Sequence, residues 1–513
     1  MAKVIINKNG KQSFVTAETG KLISDVLDFA EHKIDYPCAR KGICKKCTVK
    51  IVGDLSEISE TEKDVFGEDK NLRLACITKI MGDCEIFLEN ENDIQVGSLK
   101  EAITNYNPYH KNYGIAVDIG TTTLAVSLYK NDERIGSLSS KNPQISFGAD
   151  VISRIEQQMA GKTSELSKAI RGGINEIINE LSIQLNVEKN LIDKAVITGN
   201  TTMLHLLTEN DCKPLSCAPF DAKYLGGEKV LASEIGIDIN ENAEVFLPNC
   251  FSAFVGADIT TAILASGMCD KNETSLLIDI GTNGEMALVK DGKLSCCSTA
   301  AGPAFEGLGI TCGMHGTSGA IDHVSFENGD FAFTTIGNTK AKGICGSGVI
   351  DSIAAMLDSE VLDETGMIDD MNEEFEERIV DNDDIVFLIS GDVGIYGKDV
   401  RAIQLAKSAI GAGAKTLVHE NKITSDGVDR VYIAGGFGSF INIENAGKIG
   451  LIPNEFVPKV KVLGNAALLG AEMLLLNKDL HKFVKTLTEE FSSVDLATSA
   501  FFMDAYVENM CFD

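Results

Sequence analysis

Positive charge is scarce in this chain: 46 Lys and Arg stand against 75 Asp and Glu, a formal charge of −29. Nucleic acids and anionic membranes are held by basic faces that neutralise phosphates or headgroups, so neither is an expected partner. Long apolar runs are lacking too, since none approaches the ~20 residues a membrane-spanning helix needs. The N-terminus alternates straight into a strand pattern from Met1 to Asn7, without the apolar core of a signal peptide. The expected location is cytoplasmic. Histidine is sparse, with seven residues that show neither paired metal spacing nor a neighbouring nucleophile, and histidine-based catalysis therefore has no support. Cysteine is the exception, with 14 residues. In a compartment that keeps thiols reduced, such a count points to metal or catalytic use rather than a disulfide framework. At 513 residues and 44% hydrophobic content, the chain exceeds one core and predicts two or three domains.

Only a few of the cysteines have ligand spacing. Cys38-Ala-Arg-Lys-Gly-Ile-Cys44-Lys-Lys-Cys47 gathers three thiols in one loop, and Cys76 returns a fourth. Short strand patterns at 3–7 and 12–16, joined through Asn9-Gly10, precede a helical stripe of Leu22, Val26, Leu27 and Ala30 between Leu22 and His32. Strands follow at Thr48–Val52, Leu72–Cys76 and Cys84–Leu88. Small residues between the thiols let backbone wrap closely and aim N–H groups at sulfur. Plant-type [2Fe-2S] ferredoxins use a similar triplet with a distant fourth Cys. The longer first gap here resembles ferredoxins of the adrenodoxin kind, which implies a β-grasp fold with Cys38, Cys44, Cys47 and Cys76 as cluster ligands. Cys84 stays open as the fourth ligand, and a structural zinc site with four thiolates stays open for the set. Arg40, Lys41, Lys45 and Lys46 crowd the loop, either to tune or dock an electron partner or as a solvated rim.

Polar, aperiodic sequence over 91–112 marks a linker. Beyond it, an apolar strand runs through Asp118-Ile-Gly120-Thr121-Thr122-Thr123 into a second strand. The device recurs at Asp279-Ile-Gly281-Thr282-Asn283-Gly284-Glu285. One such turn is a weak signal, but two at a domain-sized interval imply duplicated lobes facing one ligand. Glycine and small hydroxyl residues expose N–H groups to phosphate oxygens, and an Asp at each strand end can hold Mg²⁺ directly or through water. A third stretch runs from a strand into Gly435-Gly436-Phe-Gly438-Ser439, where backbone can lie flat against an adenine or ribose. Together the three stretches resemble the phosphate and adenosine motifs of the superfamily of acetate and sugar kinases, actin and heat-shock chaperone ATPases. The resemblance implies ATP as ligand. Phe254 to Ala262, with Asp258, and Gly464 to Ala471 look like its two connecting helices, where small residues permit a close crossing. Two further glycine stretches, Ala300–Gly307 and Gly343–Gly348, read either as phosphate-facing loops or as tight turns.

The expected architecture is α/β and multidomain: a β-grasp ferredoxin at 1–90, a linker at 91–112, and an actin-like ATPase with ribonuclease H-like duplicated lobes at 113–478. Lobe I spans about 113–255 and lobe II about 256–463, with a terminal segment at 479–513 packing on the ATPase. Joined in one chain with Ile197–Met203 and the closing Phe501–Val507, these modules resemble the reductive activators of corrinoid proteins. That resemblance implies ATP-dependent, one-electron reduction of a Co(II) corrinoid to Co(I) in the methyltransferase systems of anaerobes. It further implies a [2Fe-2S] cluster, Mg²⁺, a corrinoid protein partner, an upstream electron donor, and the option of a homodimer. Asp118 and Asp279 are the expected carboxylates near Mg²⁺, and Asp258 the candidate for orienting water. Two rival readings stand beside it: a small-molecule kinase with a redox-sensing module, and an electron carrier whose nucleotide only fixes conformation.

Overall fold

The computed structural model describes residues 1–8, 11–30, 47–59, 61–63, 71–88, 105–381, 383–435 and 441–512. The first sheet is a five-stranded β-grasp built from β1 (Ala2–Lys8), β2 (Lys11–Ala17), β3 (Thr48–Leu55), β4 (Leu72–Leu74) and β5 (Ile80–Leu88). Its order is β2-β1-β5-β3-β4, with β1 and β5 parallel. Val4, Ile6, Ile51 and Ile86 alternate inward along their strands, and the helix Ile23–Phe29 buries Ile23, Val26 and Leu27 in the same core. The predicted hairpin dipeptide Asn9-Gly10 and the end of the predicted helix lie outside the described residues, as do Cys38 and Cys44.

Glu62 ties this module together. It is buried, accepts from Arg73 Nε at 3.0 Å and Thr78 Oγ1 at 2.7 Å, and takes the Leu74 N–H at 3.0 Å. Burial works against its charge, but these bonds win and hold the carboxyl down at about 2. The clasp spans the segment that carries Cys76.

Two six-stranded sheets share one plan. The first is β6 (Tyr113–Ile119), β7 (Thr123–Lys130), β8 (Glu133–Lys141), β9 (Ile192–Gly199), β10 (Glu228–Leu231) and β11 (Glu244–Leu247), in the order β10-β11-β9-β6-β7-β8. The second uses β12 (Ser275–Ile280), β13 (Asn283–Lys290) and β14 (Lys293–Ala300) as its meander. Between them and the last sheet lie two three-stranded sheets, β15 (Ala320–Glu327), β16 (Asp330–Thr335) and β17 (Gly343–Ile344), then β18 (Ile379–Asp381), β19 (Ile385–Ser390) and β20 (Val393–Tyr396). The second large sheet then gains β21 (Arg430–Ala434), β22 (Val460–Gly464) and β23 (Phe491–Ser493), in the order β22-β21-β12-β13-β14-β23. In each sheet a three-stranded antiparallel meander is extended by two parallel strands, β9 and β11 beside β6, β21 and β22 beside β12. The duplication read from the two Asp-Ile-Gly-Thr turns is thus a duplication of whole sheets. The edges differ: β10 adds antiparallel to β11, whereas β23 adds parallel to β14.

Each sheet buries one face under a long helix, Thr163–Leu185 in lobe I and Gly397–Glu420 in lobe II. The other faces meet around two crossing helices, Ala257–Ser266 and Ala466–Leu476, in a shared core with Ala116, Val196, Leu277 and Tyr432. Small residues allow the crossing. A Cβ added at Gly470 would stand 2.0 Å from the Thr261 carbonyl oxygen, so the two backbones touch. The chain entering from the first module is stitched to the end of the second of these helices: Tyr109 N–H donates to Leu475 O at 2.9 Å and Asn107 N–H to Leu476 O at 3.3 Å, while Asn107 O accepts from Lys478. Tyr109 also donates its hydroxyl to Glu244 at 2.7 Å. At the other terminus Gln404 and Ser408 donate to the carbonyls of Met510 and Asn509.

Candidate functional site

In the β-grasp module, the thiols of Cys47 and Cys76 lie 3.2 Å apart, both buried. They meet because Cys47 precedes β3 and Cys76 follows β4, which pair directly, with the Ala75 N–H donating to Cys47 O at 2.9 Å. Two buried thiols at contact distance fit half of the four-cysteine donor set of an iron-sulfur cluster. Cys84 sits apart on β5, paired with Val4, and burial with its neighbour Asp83 raises its thiol to about 11. That suits a packed strand residue rather than a thiolate ligand.

Asp118 and Asp279 stand at equivalent places, next to last on β6 and β12. Asp258 comes from the first turn of the helix Ala257–Ser266, and Glu285 points inward from β13 opposite Asp279. Desolvation lifts Asp118 to about 6, against a hydrogen bond from Asn465 Nδ2 at 2.9 Å that favours its charged form. Asp279 rises to about 7 through desolvation and the charges of Asp118 and Glu306. Asp258 and Glu285 are raised as well, again by desolvation first and then by the other carboxylates. Buried carboxylates whose charges raise one another, as Asp279, Asp258 and Glu285 are raised, are eased by a cation nearby. Among the described residues no three His, Cys, Asp or Glu gather as a complete metal-holding set. The two strand-end carboxylates, Asp118 and Asp279, fit the donor chemistry of Mg²⁺, which keeps several waters and takes one or two carboxylates plus phosphate oxygens.

The two Asp-Ile-Gly-Thr turns are braced from behind. In the first, Gly120 N–H closes on Thr123 O at 2.9 Å, the Thr121 carbonyl accepts from Arg154 Nη2 at 2.6 Å, and Thr121 Oγ1 accepts from Asn200 Nδ2 at 3.2 Å. Thr122 O accepts the Asn142 N–H at 2.8 Å, and Thr282 O accepts the Gly302 N–H at 2.9 Å, so the same brace recurs in both lobes. Thr123 itself is exposed at the start of β7, contributing backbone rather than a buried hydroxyl. In the second turn Gly281 N–H closes on Asn283 O at 3.1 Å. Gly284 packs against Ile410, where a Cβ would come within 2.9 Å of its side chain. The hydroxyls of Thr122 and Thr282 both donate to the carboxylate of Glu306, that of Thr282 at 2.9 Å. One side chain thus touches both turns.

Gly435 closes the second lobe's strand end with φ +102, and a Cβ there would lie 2.6 Å from Ile280 O and 2.9 Å from Asp279 Oδ1. Gly199 does the same in lobe I, 2.7 Å from Ile119 O. Gly436, Gly438 and Ser439 fall outside the described residues. Sequence reading gave Glu306, Asn465, Arg154 and Asn142 no role. Asn465 carries a detectable signal, since it caps the helix Ala466–Leu476 by accepting the Leu468 N–H at 2.8 Å.

Three family models match in series: a 2Fe-2S iron-sulfur cluster binding domain at 6–81, the RACo middle region at 113–271, and the C-terminal ASKHA domain of RACo at 273–513. The corrinoid activation enzyme RamQ of Eubacterium limosum is 37% identical over 428 residues, 78% of this chain and 70% of that protein. A [Co(II) methylated amine-specific corrinoid protein] reductase of Methanosarcina barkeri is 27% identical over 432 residues, 77% of this chain and 76% of the other. A solved structure of a reductive activator for corrinoid, iron-sulfur protein superposes with a TM-score of 0.73 at 28% identity, covering 100% of this chain and 98% of that one. With a ferredoxin sheet, duplicated ATPase lobes and these relatives, the chain belongs to the family of reductive activators of corrinoid proteins.

Proposed function

We propose that the chain reduces the corrinoid of a partner protein from Co(II) to Co(I), one electron at a time, with ATP driving the step, in a methyltransferase system. The convergence of the two phosphate turns on one carboxylate, in a chain that also carries the Cys47–Cys76 thiol pair, is the observation that supports it most. The same reading divides the chain at 1–90, 91–112, 113–478 and 479–513, which agrees with the sheet ending at Leu88 and the next beginning at Tyr113.

When bound, the [2Fe-2S] cluster supplies a one-electron reductant and MgATP supplies binding and hydrolysis energy. The protein's own groups do the rest. Cys38, Cys44, Cys47 and Cys76 hold the cluster, and Glu62 keeps the Cys76 segment rigid. Thr121, Thr122 and Thr282 with their backbone amides orient phosphate oxygens, Gly120, Gly281, Asn283 and Gly284 shape the turns, and Gly435 lets backbone approach closely. Asp118 and Asp279 hold the cation, and Glu285 adds negative charge behind it. Asp258, kept protonated at neutral pH by burial first and then by the charges of Asp279 and Asp118, can orient a water or donate a proton to it. An uphill one-electron step of ~200 mV costs about 4.6 kcal/mol, and a ligand preferring one conformation ~10⁴-fold moves an equilibrium by a comparable amount. Closure of the lobes on nucleotide is therefore large enough to drive transfer.

The test is direct. Reduced protein mixed with a Co(II) corrinoid partner should yield Co(I), followed by absorbance, only when MgATP is present. Equal yields without nucleotide would favour the carrier reading, and ATP turnover that requires a sugar or acid acceptor would favour the kinase.

A further inference from the structure

Glu306 is aimed by a rigid loop. Ala304 and Phe305 beside it are anchored in the lobe II core, and Gly307 after it takes φ +74 where a Cβ would meet Met314 O at 2.4 Å. Glu306 N–H closes on Pro303 O at 2.9 Å. Its side chain reaches Thr282 within its own lobe and Thr122 in the other, one carboxylate oxygen to each hydroxyl. A threonine hydroxyl has one proton to give. It can give that proton to the carboxylate or to a phosphate oxygen, not to both at once.

We propose that Glu306 gates the terminal phosphate of the nucleotide: its carboxylate occupies the two threonine donors that the phosphate must take, and so sets the affinity and the discrimination between ATP and ADP. The proposal rests on the reading that both turns bind nucleotide phosphate. Since a single carboxylate spans both turns, the competing group is the one phosphate that also spans both, and that is the last in the chain. Like charge sharpens the competition, because a phosphate approaching Thr122 and Thr282 meets an anion already there. Arg154 and His315 lie near enough to feel the Glu306 charge and offer it an alternative neighbour.

Calorimetric titration with a non-hydrolysable ATP analogue and with ADP, both with Mg²⁺, tests this on the full-length protein. Glu306→Gln keeps the shape and removes the charge, and should bind the triphosphate about tenfold tighter, as loss of a charge-assisted competitor implies, with a smaller gain for ADP. Glu306→Asp, too short to span both hydroxyls, should shift in the same direction and serves if the first variant folds poorly. In a Thr282→Val background the Glu306→Gln gain should shrink, since the contested donor is gone. Unchanged or weaker triphosphate binding in both Glu306 variants would overturn the proposal. Wild-type protein that binds neither nucleotide would instead fell the underlying reading, and the gate with it.

Discussion

The two lobes carry the same sheet and the same turn, yet their side chains have divided the work. Turn I is backed by neutral or cationic braces, Asn142, Asn200 and the buried Arg154, whose guanidinium is pushed down to about 10 by burial, while its Thr122 shares the Glu306 carboxylate with turn II. Turn II is surrounded by acids, with Glu285 beneath and Glu306 across it. Both asparagine caps near the site, Asn200 and Asn465, also serve lobe I, donating to Thr121 and Asp118 while accepting from their own helices. The two sheets share one backbone frame, while the side chains set around the two turns differ. The backbone remembers the symmetry that the side chains have lost.

The sharpest way to break this comparison is to remove the equivalent acids. Asp279→Ala and Asp118→Ala should each lower ATP hydrolysis by roughly a hundredfold or more, the scale of losing one preorganised electrostatic group, while the EPR signal of the reduced cluster stays intact. Hydrolysis that survives in Asp279→Ala would mean that lobe II does not contribute to the site.

Next come the strand-end glycines. Gly435→Ala and Gly199→Ala both force a Cβ against a carbonyl oxygen, so each should cost roughly 2 to 3 kcal/mol, read as a lower Tm of the ATPase transition. A large cost at one and none at the other would show that the backbone symmetry is not mechanical.

The asparagine cap gives a smaller and more specific effect. Asn465→Ala removes the bond that favours ionised Asp118, so its pKa should rise above about 6 and the acid limb of the pH–rate profile should move to higher pH. Loss of the cap also costs about 1 kcal/mol. A profile that stays in place would deny the Asn465–Asp118 link any functional weight.

The mildest effect concerns pH and metal. Asp118 and Asp279 have folded pKa values raised to about 6 and about 7, so the fold binds more protons than the unfolded chain between the ordinary carboxylate range and those values. The contribution of these two groups to the stability of metal-free protein should therefore be lost as pH rises from about 4 through about 7, with Asp258 extending the decline towards about 8. Mg²⁺ should raise Tm by a few degrees at pH 8 and by less at pH 5.5. A metal effect independent of pH would separate the cation from these two carboxylates.

Much of this frame was legible in the chain itself, and the reasons are local. Asp118 and Asp279 are marked by a strand, a glycine and a threonine in immediate succession, and Gly470 by small residues at a helix crossing. The Cys47–Cys76 pair follows from strands that flank both thiols. Glu306 was hidden because its meaning comes from two threonines far apart in sequence and on separate sheets, brought together only by the packing of the two lobes. Arg154 sits in an amphipathic helix that offers no reason to single it out. The joining of β23 to β14 depends on a pairing across a long separation, which periodicity cannot encode.

The crossing of Gly470 on Thr261 has a mechanical consequence. Where two backbones meet at a glycine, no side chain stands between the helix axes at that point, so the crossing there acts as a pivot within the core that the flanking side chains fill. The segment from the ferredoxin sheet is fastened at the end of that same helix, close to the axle rather than on a rim. Rotation of one lobe on the other would turn this anchorage without dragging it far, so the point where the chain from the ferredoxin sheet joins the ATPase would keep nearly the same place.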